Sequence, residues 1–128
     1  MASLKRPTSP HLQIYKWGPH MALSILHRVS GVALGGGTLL LAWWLISLAS
    51  GPDEYALFQD CMESLLGKAV LLGFTLALML HLCNGVRHLF WDMGMGLDVD
   101  TTARTNMLVF LGTVVLTAVA WVIGYGML

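Results

Sequence analysis

Three stretches of the chain, Val29–Ser50, Ala69–Val86 and Thr105–Leu128, contain no Asp, Glu, Lys or Arg. A helix needs ~20 apolar residues to cross a ~30 Å hydrocarbon core, and each stretch reaches or nearly reaches that length. Helices of soluble cores are rarely uncharged for so long, and strands of a membrane barrel would be ~10 residues with alternating polarity. The expectation is an all-α integral membrane bundle of three transmembrane helices, at about residues 24–50, 65–91 and 104–128. They form one domain over residues 1–128, preceded by a polar segment at residues 1–23. Charged residues make up 11% of the chain, against roughly 25% in soluble domains. A formal net charge of zero supports no general attraction to nucleic acid, so no nucleic-acid partner is expected.

The segment from Met1 to His20 carries Lys5, Arg6, Pro7, Pro10, Lys16 and Pro19. It lacks the apolar core of a signal peptide and is too rich in proline and too poor in arginine for an amphipathic transit peptide. A chain complete as made suits the bacterial inner (cytoplasmic) membrane better than import into an organelle. The distribution of charge then predicts the orientation. The N-terminal side carries Lys5, Arg6, Lys16 and Arg28 with no acid among them, and Arg87 and Arg104 flank the second connection. The first connection carries Asp53, Glu54, Asp60 and Glu63 against Lys68 alone. The positive-inside rule places the N-terminus and second connection in the cytoplasm, and the first connection and C-terminus outside. Trp91 and Tyr125 fit aromatic belts at the two interfaces. Gly51-Pro52-Asp53 is a stop-and-turn signal, and Asp100 or Thr101 is expected to cap the approach to the third helix.

An ionisable residue inside a membrane helix is costly and points to function. Ser24, His27, Arg28 and Gly31, in S-I-L-H-R-V-S-G, fall at i, i+3, i+4 and i+7, one face of the first helix at its cytoplasmic end. Arg and His here equally suit an interface, snorkelling to headgroups. Four polar or small residues on one face favour a built site, and Gly31, Gly35, Gly36 and Gly37 allow close approach of a helix or a flat macrocycle.

The second cluster is His81, Gly85, His88 and Asp92, in H-L-C-N-G-V-R-H-L-F-W-D, again on one face. His81 is expected ~10 Å deeper than His88. A buried neutral imidazole needs partners at both nitrogens. Iron can take one lone pair while the other N–H is donated elsewhere; an interhelical hydrogen bond is the plainer alternative. His27 and His88 are expected near the cytoplasmic surface, at the wrong depth to pair with His81, so a second axial ligand would come from another chain. Cys61 and Cys83 form neither C-x-x-C nor C-x-x-C-H, so any haem would be held without covalent attachment. Arg28, Arg87, His27 and His88 are expected to gather near the inner surface, where cations stabilise haem propionates. Ser24 can donate to a quinone carbonyl and Arg28 can stabilise the negative charge that develops on reduction. Asp92 either orients His88, pairs with Arg87, or is an exposed carboxylate at the edge of a loop. Asn84 and Thr75 suit hydrogen bonds across helices.

R-P-T-S-P-H-L-Q-I-Y-K at Arg6–Lys16 resembles the segment leading into the membrane in the succinate dehydrogenase cytochrome b large anchor subunits. These form the cytochrome b556/b560 family of α-proteobacteria and mitochondria. S-I-L-H-R-V-S-G and H-x-x-x-G-x-R-H-x-x-x-D resemble that family's next two motifs, in order. The resemblance implies a membrane-anchor subunit of succinate:quinone oxidoreductase, itself without catalytic residues. A second small three-helix anchor subunit would complete the bundle and share haem b, with an iron–sulfur subunit and a flavoprotein as further partners. It implies His81 as a haem iron ligand, Ser24 and Arg28 at the quinone, and His27, Arg28 and His88 near the haem. The rivals are a fumarate reductase anchor, a haem-free structural anchor and a small transporter. The last would need polar residues lining all three helices, whereas the third run offers only Thr105, Asn106, Thr113 and Thr117.

Overall fold

The computed structural model describes residues 14–126. Lys5, Arg6, most of the Arg6–Lys16 motif and the last two residues of the third apolar run lie outside them. Four helices follow in order: α1 Pro19–Ser50, α2 Pro52–Glu63, α3 Leu65–Asp92 and α4 Val99–Gly126. Three of these, α1, α3 and α4, are long and apolar enough to cross a membrane, as the apolar runs require. α3 lies between α1 and α4, and α2 folds against α1 and α3.

The boundaries differ from the expected ones where local caps extend the helices. α1 begins at Pro19, with Pro in the first turn after an extended Gly18, because a first-turn residue has no helical use for the N–H that proline lacks. α4 begins at Val99 because the Asp98 carboxylate accepts the Thr101 N–H at 2.8 Å. Asp98 is therefore the cap, in place of Asp100 or Thr101; its side chain takes an N–H that the helix leaves unpaired. That bond holds the Asp98 carboxyl below its ordinary range.

The first connection is itself helical, where the sequence suggested an irregular loop. Gly51, at φ 121°, makes a break that side-chain-bearing residues rarely adopt. Pro52 then opens α2 with Asp53 and Glu54 in its first turn, a favourable place for negative charge. Phe58 is buried and meets Trp43 edge-on at 4.9 Å, which seats α2 on α1. Ser64 ends α2 and caps α3 by accepting the Gly67 N–H at 3.0 Å.

The burial pattern is inverted relative to a soluble domain. Among the described residues, buried apolar side chains are few: Leu23, Phe58 and Val109. The buried polar ones are Ser30, Ser47, Asn84, Arg87, Asn106, Thr113 and Thr117, while Leu65, Val32 and many other large apolar residues face outward. Lipid solvates the apolar exterior and the helices adhere through packing and hydrogen bonds. Near the first connection, Trp121 Nε1 donates to Thr75 Oγ1 at 3.3 Å and ties α4 to α3.

Candidate functional site

The functional side chains come from facing flanks of α1 and α3. His81 and His88 are two turns apart on α3, a rise of about 10.5 Å, and that spacing admits one flat ring between them. The His27 imidazole of α1 fills it. Its centroid lies 3.9 Å from that of His81 and 5.1 Å from that of His88, each pair 14° from parallel. The expected separation in depth is corrected here: His27 lies beside His81. The reason is the early start of α1, which puts His27 two turns inside the helix rather than at its mouth.

Ser30 and Gly31 shape the surroundings of His81. Ser30 is buried, and its hydroxyl donates to the His27 carbonyl at 2.8 Å. The same oxygen is 3.1 Å from His81 Nδ1, and the His27 carbonyl is 3.2 Å from that nitrogen. With the one Ser30 proton directed to the carbonyl, Nδ1 faces two acceptors and must carry hydrogen. Nε2 is then the unprotonated nitrogen, on the ring edge turned away from Ser30. A β-carbon at Gly31 would approach His81 Cε1 to 3.2 Å, so glycine there gives the ring its room.

A ligating histidine normally donates its second nitrogen to a carbonyl or similar acceptor, which sets its tautomer and orientation. His81 has that arrangement within its own chain, and it fits axial ligation of haem iron through Nε2. His88 repeats half of it, with Nδ1 2.8 Å from the Asn84 carbonyl. Nδ1 of His27 is buried without a partner.

Ser24 and Arg28 lie one turn apart on α1, and both are exposed. They lie in the N-terminal half of α1, and their exposure lets them meet a molecule from outside the chain. Gly85 has open space where a β-carbon would point, as do Gly35 and Gly36.

Arg87 lies on the α4 side of the cluster, linked to it through Trp91, whose ring is 5.0 Å from that of His88. It is 6% exposed, donates through Nη1 to Asn106 Oδ1, and its guanidinium carbon sits 4.5 Å over the Trp91 ring. One residue before His88, it points about 100° around the helix, toward α4. Its partner Asn106 was missed in the sequence, where a lone amide in an apolar run carries little signal. Asp92 is exposed and orients neither His88, which uses the Asn84 carbonyl, nor Arg87, which uses Asn106; the exposed carboxylate is the reading that stands. Asn84 is fully buried, yet neither atom of its amide is paired, contrary to the interhelical bond expected of it. Ser30 was also missed, because a serine in a membrane helix usually satisfies itself on its own backbone.

Residues 2–120 match the family described as the succinate dehydrogenase/fumarate reductase transmembrane subunit. The chain is 45% identical over 118 residues to the succinate dehydrogenase cytochrome b556 subunit of Rickettsia felis, covering 92% of each chain. Identity to the subunit of the same name in Paracoccus denitrificans is 36% over 118 residues, covering 92% of this chain and 91% of the other. The mitochondrial cytochrome b560 subunit of Mus musculus is 42% identical over 99 residues, covering 76% of this chain and 59% of the other.

Proposed function

From the premise that the chain belongs to the succinate dehydrogenase/fumarate reductase transmembrane subunit family, we propose that it is a cytochrome b membrane anchor of complex II. In this reading it holds haem b through His81 and helps to bind quinone. The observation that carries the reading is the His81 tautomer. A histidine inside the bundle has Nδ1 pinned between the Ser30 hydroxyl and the His27 carbonyl, leaving a lone pair on Nε2 for iron.

The chain's own residues divide the work. His81 would hold the haem iron through Nε2. Ser30 and the His27 carbonyl keep its ring from rotating. His27 and His88, the other rings of the stack, would lie close to the group that His81 holds. Among the described residues, no other histidine has its Nδ1 held by both a hydroxyl and a carbonyl of a facing helix, which supports a further ligand supplied by a second small anchor subunit. When bound, the haem takes up and returns single electrons. Ser24 donates a hydrogen bond to one quinone carbonyl, and Arg28 stands where the other oxygen gains negative charge, the placement that lowers the barrier to reduction. Electrons reach this site from an iron–sulfur subunit, which receives them from a flavoprotein that oxidises succinate.

The distribution of charge supports an orientation with Lys16, Arg28, Arg87 and Arg104 at the cytoplasmic side of the bacterial inner membrane and α2, carrying Asp53, Glu54 and Asp60, outside. The decisive experiment is a reduced-minus-oxidised spectrum of membranes from cells making the wild-type chain or His81→Ala. The b-type absorbance should be lost or strongly shifted in the variant while the subunits still co-purify. An unchanged spectrum removes His81 as ligand.

A further inference from the structure

A groove of about 590 Å³ runs between α3 and α4, and Trp91 in its lining separates it from His88, 5.0 Å away. Leu82, Val86, Phe90, Leu108 and Leu116 form its walls, and among the described residues Arg87 is the one charged residue that lines it. Arg87 is more than nine-tenths buried, its Nε has no hydrogen-bond partner, and its two neighbours, Asn106 and Trp91, are uncharged. A buried guanidinium with no anion is strongly unfavourable, and an anion brought against it would relieve that cost.

The shape of the groove identifies the anion. Trp91, Gly96 and Thr101 line the end where α3 stops and α4 begins, and Leu82 and Leu116 lie deeper. Nine residues separate Leu82 from Trp91, about 13.5 Å along the helix, so the apolar walls extend a long way inward from the cation. A soluble anion would use the Arg87 end and leave the apolar length unfilled. A molecule with a phosphate at one end and a hydrocarbon chain behind it uses both. A choline or ethanolamine headgroup would set its own cation beside Arg87 and meet no carboxylate in the lining. We propose that this groove binds an anionic phospholipid, with its phosphodiester against Arg87 and one acyl chain along Leu82, Val86, Leu108 and Leu116. Basic pockets between helices on the cytoplasmic side are suited to such headgroups. The site needs the membrane setting of the bundle and is independent of the haem and quinone assignments.

The test uses the whole complex containing this chain, purified in mild detergent and stripped of lipid. It is incubated with phosphatidylglycerol or with phosphatidylcholine, and bound lipid is counted by native mass spectrometry. Wild type should retain phosphatidylglycerol at least about tenfold better than Arg87→Gln, the ratio expected for loss of a charge-assisted contact, and should prefer it to phosphatidylcholine. Leu108→Trp, on an exposed wall, should lose the lipid with Arg87 intact, and it decides the matter alone if Arg87→Gln does not assemble. Arg104→Gln, which removes an exposed charge at the same membrane edge, should retain it. Equal retention of phosphatidylcholine, undiminished phosphatidylglycerol in Arg87→Gln or Leu108→Trp, or an equal loss in Arg104→Gln would each overturn the proposal.

Discussion

The imidazoles of His27 and His81 lie face to face, 3.9 Å between centroids and 14° from parallel, although they come from different helices. The same His27 residue lends its carbonyl to the far side of the arrangement, 3.2 Å from His81 Nδ1. One turn of α1 thus supplies both a stacking surface and a hydrogen-bond acceptor, and Ser30 is the side chain that joins them.

Replacing Ser30 with Ala removes one of the two acceptors at His81 Nδ1 and leaves the ring freer to turn. Partners of this kind are typically worth about 10- to 100-fold in metal affinity. Haem content of the purified complex should fall, and the remaining haem should show altered electron paramagnetic resonance g-values. Ser30→Thr, which keeps a hydroxyl, should restore both. A wild-type spectrum in Ser30→Ala would show that the His27 carbonyl suffices.

Gly31→Val should displace His81, since even a β-carbon at that position reaches 3.2 Å from its ring. Gly73→Ala, where nothing lies within 4 Å, should be tolerated. The comparison is made on haem-to-protein ratio by the pyridine haemochrome assay. Equal ratios in the two variants would contradict the packing argument.

Arg28→Leu should lower quinone reduction by roughly 100-fold, the scale for losing one stabiliser of developing charge. Succinate oxidation with an artificial acceptor should persist, because that reaction does not use the membrane site. If both activities fall together, Arg28 serves assembly.

Asn106→Ala leaves the Arg87 guanidinium buried without its acceptor. Breaking a hydrogen bond to a charged group costs about 1.5–3 kcal/mol, which should appear as a lower unfolding temperature of the complex. In complex stripped of lipid, the pair Arg87→Met with Asn106→Leu should recover much of the loss, since two apolar residues leave no charge uncompensated. Equal destabilisation of the stripped double variant would mean that Arg87 holds the fold together through more than its bond to Asn106.

The Asp98 cap carries a pH dependence of known sign. Its carboxyl is held below the ordinary value by the Thr101 N–H, so its contribution to α4 is complete above the unfolded value, near about 3.9. It is lost as pH falls through the lower folded value. Hydrogen exchange at the Thr101 and Thr102 amides, corrected for intrinsic rate, should lose protection over that acid window. Asp98→Asn, which keeps an accepting oxygen without the proton equilibrium, should show no such dependence.

Much of this was legible in the residues themselves. Long uncharged runs leave a chain few places but a bilayer, so α1, α3 and α4 follow from composition along the chain. Periodicity placed His81 with His88, and Ser24 with His27 and Arg28, because residues sharing a helix face are fixed by 3.6 residues per turn. The offset between helices was not legible. Whether His27 meets His81 or lies above it depends on where α1 begins and how far it slides along α3, and Pro19 and the packing of two helices decide that. The turning of Arg87 toward Asn106, and the Ser30 hydroxyl reaching across to His81, depend on the same offset. A single helix determines which side chains share its face, but only the contact between two helices determines which atoms meet.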